Sequence, residues 1–242
     1  MKTYFLFFAW PYMTVALLLV VTFVRYLLTR TQMDGLRAEL MDARAVFGGN
    51  RTWYISLLLL AAGHGILLLF PRFILSWNSS PVRLYLLEFS GLIVGLVALA
   101  SFGKLLWRHT GRSNRSVLIE ISDVVFLSLL FLGIASGVFL AVAYRWASSW
   151  GAIILTPYIA SLLRLNPATQ LAAEMPFVVR LHLFTTFAAL AVLPLTRLGA
   201  FLVQGLHLSF ESVARVTGTM GAAAGARLRK HNPAAWLWPE ED

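Results

Sequence analysis

The chain contains no cysteine. That excludes a disulfide, an iron–sulfur cluster or a zinc–thiolate site built from its own residues, so redox chemistry here needs another cofactor or partner-borne electrons. Charge is nearly as scarce. Only 13% of the 242 residues are Asp, Glu, Lys or Arg, against about 25% in soluble domains. There is no internal repeat and no low-complexity tract, and the apolar runs lack the alternation of β-barrel strands.

What the chain has instead is apolar length. Hydrophobic residues make up 59% of it, and the mean hydropathy is +0.74. A membrane-crossing helix needs about 20 predominantly apolar residues. Five runs meet that length: residues 4–28, 53–75, 84–107, 119–144 and 177–204. Trp10, Tyr12, Tyr26, Trp53, Trp77, Trp107, Tyr144 and Trp146 sit near run ends, as an interfacial aromatic belt does. The first run reaches Leu28 without a small-residue cleavage site, so a retained first helix is expected. The expected fold is an all-α integral membrane protein of five transmembrane helices.

The net charge of +9 does not imply nucleic acid, because the basic residues cluster between apolar runs and so report topology. Arg30, Arg37, Arg44 and Arg51 occupy the first connection, and Lys104, Arg108, Arg112 and Arg115 the third. Arg215, Arg227, Arg229 and Lys230 occupy the tail. Lys2, Arg72, Arg83, Arg145, Arg164 and Arg180 are scattered singly on the other side. The positive-inside rule then expects the N-terminus outside and the C-terminus in the cytoplasm. Two regions follow: a membrane domain over residues 1–207 and a cytoplasmic extension over 208–242. The connection 145–176 is amphipathic, and is expected on the outer surface as one or two short helices broken at Pro157 and Pro167.

An intramembrane histidine is costly unless it is used. His64 lies in Ala61-Ala62-Gly63-His64-Gly65-Ile66, seven residues before Pro71, and His182 lies shortly after Pro176-Phe177. At 1.5 Å rise per residue both fall about 8–12 Å below the outer boundary, on different helices. Equal depth is what two axial ligands of one haem require, and neutral imidazole is a standard haem ligand. Two alternatives remain: imidazoles hydrogen-bonded to backbone or to each other as helix glue, or members of a proton relay or transporter. Transport fits less well, because the runs show no inverted repeat and Glu88, Glu120 and Asp123 lie near run ends. His109, His207 and His231 are read as solvated surface residues.

Arg83, at the outer start of the third run, could hydrogen-bond a quinone oxygen or a haem propionate, or simply snorkel. Arg180 and Arg145 could pair with propionates. Gly91 and Gly95 give the third run a small-residue face, for close helix packing or ligand clearance.

Together these residues resemble the cytochrome b (gamma) subunit family of respiratory nitrate reductase and related membrane quinol-oxidoreductase complexes. The resemblance covers nearly the whole chain. It is carried by Trp10-Pro11-Tyr12, Arg25-Tyr26, Gly63-His64 with Pro71, and Val82-Arg83 before Gly91 and Gly95. Ser122-Asp123 and Arg180-Leu181-His182-Leu183 with Pro194 and Arg197-Leu198 complete it. The resemblance implies a bacterial or archaeal cytoplasmic-membrane subunit, N-terminus outside, that oxidises a quinol near the outer face. It implies an outer haem b held by His64 and His182, and a quinone site beside it that includes a basic residue at Arg83; Gly63 and His64 are expected to complete that site. Electrons would pass through two haems to iron–sulfur and catalytic redox subunits.

The chain departs from the family at the inner haem. The family pattern has histidines ten residues before His64 and eighteen after His182; here those positions are Tyr54 and Ala200. Alanine cannot ligate iron, so an inner bis-histidine haem at the usual place is excluded. One haem b near the outer face is expected, with the second relay supplied by a partner or unusual ligands, or with electrons leaving outward to a periplasmic cytochrome c or iron–sulfur partner. The alternatives are a membrane anchor subunit that binds no quinone, and a small transporter or proton channel.

Overall fold

The computed structural model describes residues 5–30, 32–47, 51–111, 120–144 and 146–230. Among these the chain is helical throughout, with five helices long and apolar enough to cross a membrane: Phe5–Thr29, Arg51–Leu69, Pro81–Leu105, Ile121–Ala143 and Phe177–Leu195. We number the helices α1 (Trp10–Thr29, after a π-helical turn at Phe5–Ala9), α2 (Met33–Phe47), α3 (Arg51–Leu69), α4 (Pro71–Trp77), α5 (Pro81–Gly111), α6 (Ile121–Ala143), α7 (Ala147–Leu163), α8 (Thr169–Ala173), α9 (Phe177–Val192) and α10 (Gly199–Lys230).

The spanning helices pack in the order α3–α5–α6–α9–α1, and α10 leans on α1 and α2. Small residues set the closest approaches, as they do where lipid removes the hydrophobic drive between helices. A Cβ on Gly95 of α5 would lie 3.0 Å from Val138 Cγ2 of α6, so Gly95 serves packing, whereas Gly91 faces open space.

Prolines end two of the expected spans early. The run 53–75 divides at Phe70, because Pro71 has no N–H for the Leu67 carbonyl. That carbonyl instead accepts a hydrogen bond from Thr156 Oγ1 of α7 at 3.2 Å. The run 177–204 likewise divides: α9 stops at Val192, a 3-10 turn spans Leu193–Leu195, and α10 restarts at Gly199. The carbonyls of the buried Pro194 and Thr196 both accept from the Arg25 guanidinium, the latter at 2.9 Å. Arg25 also pairs with Glu39 of α2. The Arg197 N–H donates to Asp123 Oδ1 at 3.1 Å. A Cβ on Gly199 would lie 2.7 Å from the Pro194 carbonyl oxygen, so this turn needs glycine.

The connection expected as surface helices broken at Pro157 and Pro167 differs in part. α7 runs unbroken through Pro157, because a π-helical turn at Gly151–Leu155 widens the helix just before the ring. It packs into the bundle: the fully buried Tyr158 donates to the Phe7 carbonyl at 2.9 Å, and Tyr12 donates to the Leu162 carbonyl at 2.9 Å. α2 was not anticipated at all, although Leu36, Leu40, Ala43 and Phe47 mark one buried face at helical spacing. α10 passes the expected 207/208 boundary without a break as far as Lys230; residues 231–242 lie outside the described residues.

Replacing Thr156 by Val keeps its shape and removes the donor to the freed Leu67 carbonyl. We expect a loss of about 1–3 kcal/mol in unfolding stability in detergent, with Thr156→Ser close to the parent.

Candidate functional site

His64 on α3 and His182 on α9 come face to face, their ring centroids 6.0 Å apart and their planes inclined by 26°. Each ring is fixed through Nδ1. In His64 it lies 2.7 Å from the Leu60 carbonyl one turn back. In His182 it lies 2.9 Å from the Gly133 carbonyl of α6 and 3.1 Å from Ser136 Oγ. A carbonyl oxygen only accepts, so both Nδ1 atoms carry a proton, and in the neutral imidazoles both Nε2 atoms present a lone pair. Neither Nε2 has a hydrogen-bond partner among the described residues.

That is the tautomer a metal-ligating histidine adopts when its second nitrogen is held by a backbone oxygen. The spacing also fits a shared metal. With metal–nitrogen bonds of about 2.0–2.1 Å and each nitrogen about 1.1 Å from its ring centre, two rings with their Nε2 atoms in line on one ion stand about 6.2–6.4 Å apart, slightly more than here. The surroundings leave room: Ala61, Ala62, Gly63 and His64 are exposed, and a Cβ on Gly63 or Gly65 would meet nothing within 4 Å. The donor set therefore fits a haem iron. When bound, a haem would supply reversible one-electron transfer.

The sequence reading missed the α6 side of this site. A Cβ at Gly137 would lie 3.1 Å from His182 Cε1, so glycine there lets the imidazole lie against the α6 backbone. Gly133 supplies the carbonyl one turn away. The signal was available, since Gly133 and Gly137 have the same i, i+4 spacing as Gly91 and Gly95.

The other expected residues do not gather around the pair. Arg83, in the first turn of α5, donates from Nη2 to Ser79 Oγ at 2.8 Å and lies 5.7 Å over the Trp77 ring. Arg180 is two residues before His182, which on an α-helix places it about 200° around the axis, on the opposite face of α9. Phe184, one turn on from Arg180, stacks on Trp10 of α1 at 5.5 Å. The Arg180 face thus looks toward α1 and away from His64. Arg145 lies outside the described residues. Glu88 accepts from Ser148 N at 2.8 Å and from Ser148 Oγ, tying α5 to the start of α7.

At the other end of the bundle, Tyr54 is 47% exposed and Ala200 is fully buried against Leu36, Leu40 and Val203. His207 pairs with Glu211 at 3.3 Å and lies against the Tyr26 ring. The side chains of His109 and His231 are outside the described set. Among the described residues no group of three or more His, Asp or Glu side chains could hold a metal ion.

Fold and composition define an all-α, multi-pass membrane protein. The nitrate reductase gamma subunit family model matches residues 3–213, and the chain belongs to that family. It is also similar to the nitrate reductase-like protein NarX of Mycobacterium tuberculosis, strains CDC 1551 / Oshkosh and H37Rv. Each is 24% identical over 204 residues, covering 78% of this chain and 30% of NarX. The chain thus spans about a third of the length of the curated relatives it matches.

Gly137→Val should push the His182 ring off the Gly133 carbonyl. In the protein labelled with 15N-histidine, NMR should then lose one Nδ1-protonated imidazole, while His64 keeps its own.

Proposed function

We propose that the chain is a membrane cytochrome b subunit of a respiratory oxidoreductase, exchanging electrons between a quinol and partner redox subunits through one haem b. The observation that carries this is the pair of facing imidazoles, each held through Nδ1, with no described residue partnering either Nε2. Membership of the nitrate reductase gamma subunit family supports it independently.

In this reading His64 and His182 hold the iron, and their Nδ1–H bonds to backbone carbonyls hold the rings in register and raise their basicity. Gly63 and Gly65 keep the α3 face flat beside them. A quinol would dock at the same end, next to Gly63 and His64. There Arg83, whose Nη2 is steadied by Ser79 and whose guanidinium lies over Trp77, still has N–H groups for a quinone oxygen. Arg180 could meet a propionate only around the rim of α9, so the assignment stands on the two histidines. On the positive-inside rule the α2 and α10 end would face the cytoplasm and the histidine pair the outer side, in a bacterial or archaeal cytoplasmic membrane on this reading. The helix beyond residue 208 is then a cytoplasmic extension, and iron–sulfur or catalytic subunits are the partners.

Purified protein should show a reduced-minus-oxidised b-type spectrum with one haem per chain. His64→Ala or His182→Ala should abolish it. A colourless protein, or a spectrum that survives both substitutions, would overturn the assignment in favour of an anchor or a channel.

Arg83→Gln should leave that spectrum intact and raise the KM for quinol about ten- to a hundredfold, as loss of a charged hydrogen bond of about 1.5–3 kcal/mol implies. An unchanged KM would remove Arg83 from the quinone site.

A further inference from the structure

We propose that Ser136 of α6 is a positioning residue for the histidine pair: with Gly133 and Gly137 it forms a cradle that fixes the His182 ring and sets the potential of the iron that ring would hold. This rests on the haem reading above and adds to it a side chain from a third helix.

The two imidazoles are secured unequally. His64 is bonded at Nδ1 to the Leu60 carbonyl of its own helix, at 2.7 Å. His182 meets two groups there, both on α6: the Gly133 carbonyl at 2.9 Å and Ser136 Oγ at 3.1 Å. Among the described residues Ser136 is the one side chain hydrogen-bonded to either ring. It is buried, only 7% exposed, so the contact is shielded from solvent.

A serine inside a helix ordinarily bonds back to its own carbonyls, as Ser128 does to Val124 at 2.8 Å. Ser136 does this too, giving its proton to the Gly133 carbonyl at 3.0 Å. That proton is then committed, and what Oγ turns to His182 is a lone pair. Nδ1 is the donor, and its single proton is shared between two acceptors within one turn of α6. The bare backbone at Gly137 permits the approach, since a Cβ there would lie 3.1 Å from Cε1 of the ring. The neighbouring hydroxyls act elsewhere: Thr185 and Thr186 donate to the His182 carbonyl, at 3.0 and 2.8 Å.

Acceptors at Nδ1 matter electronically. They draw the proton away from the ring and leave more electron density on Nε2, which makes the imidazole a stronger donor to a metal. A stronger donor favours the more highly charged ferric state, so the second acceptor holds the potential down. Removing the Ser136 hydroxyl has two opposed consequences. One acceptor is lost outright. The Gly133 carbonyl, relieved of the serine proton, becomes a better acceptor, but such cooperative strengthening is about 10–30% of a hydrogen bond. The direct loss wins, and the potential rises.

The test is a redox titration of the full-length, haem-loaded protein. Ser136→Ala should raise the midpoint potential of the b-type signal with the haem-to-protein ratio unchanged. Loss of one net hydrogen bond implies about a two- to tenfold rise in the ferrous-to-ferric ratio at a fixed potential, an upward shift of at most about 59 mV. Ser136→Thr, which keeps the hydroxyl, should stay close to the parent. Ser128→Ala, exposed on the same helix, should leave the potential where it was. An unchanged or lowered potential in Ser136→Ala overturns the proposal and leaves the haem reading intact. So does haem loss in that variant, which would mark a purely structural serine, or an equal rise in Ser136→Thr or Ser128→Ala. A parent protein without b-type absorbance overturns both readings.

Discussion

In hydrocarbon a polar group that loses its partner has only the protein to turn to, and this fold is arranged around that constraint. Pro71 frees the Leu67 carbonyl, and α7 is drawn against α3 because Thr156 supplies the missing donor. The last span breaks at the Pro194 turn, and Arg25 reaches across from α1 to the Pro194 and Thr196 carbonyls, recruiting Glu39 and with it α2. Asp123, fully buried, accepts the Arg197 N–H at the same turn. The two histidines obey the same rule at Nδ1 and escape it at Nε2. Their Nδ1 protons are committed to backbone oxygens, while their Nε2 atoms have no partner among the described residues. Two facing imidazoles with unpartnered Nε2 atoms are what mark the site.

Much of the architecture was legible because its signals are one-dimensional. Length and hydropathy suffice for five spans, since nothing shorter crosses and nothing more polar stays. The histidine pair was legible because depth along a helix is a count of residues, and two counts could be compared. What escaped depended on which side of a helix faces which neighbour. Gly137 reads as one small residue among many until His182 is laid against it. Arg180 is two positions from His182 in the sequence and half a turn away in space. α7 was expected to break at Pro157, because a proline signals a lost hydrogen bond without saying that a π-helical turn can absorb it. α2 was overlooked for the opposite reason: its apolar positions are too few to suggest a span, although their spacing is that of an amphipathic helix.

The two ends of the bundle are built from different materials. Around the histidine pair the packing is small, with Gly63 and Gly65 beside His64 on α3 and Gly133 and Gly137 beneath His182 on α6. At the other end it is large and closed, with Trp53, Phe47, Phe102 and Phe126 interlocked. Tyr54 and Ala200 are the sequence trace of that difference. Restoring histidine at both positions would not by itself rebuild a cofactor site, because Ala200 has no free volume and Tyr54 points outward. The closed half is packed as a layer of its own.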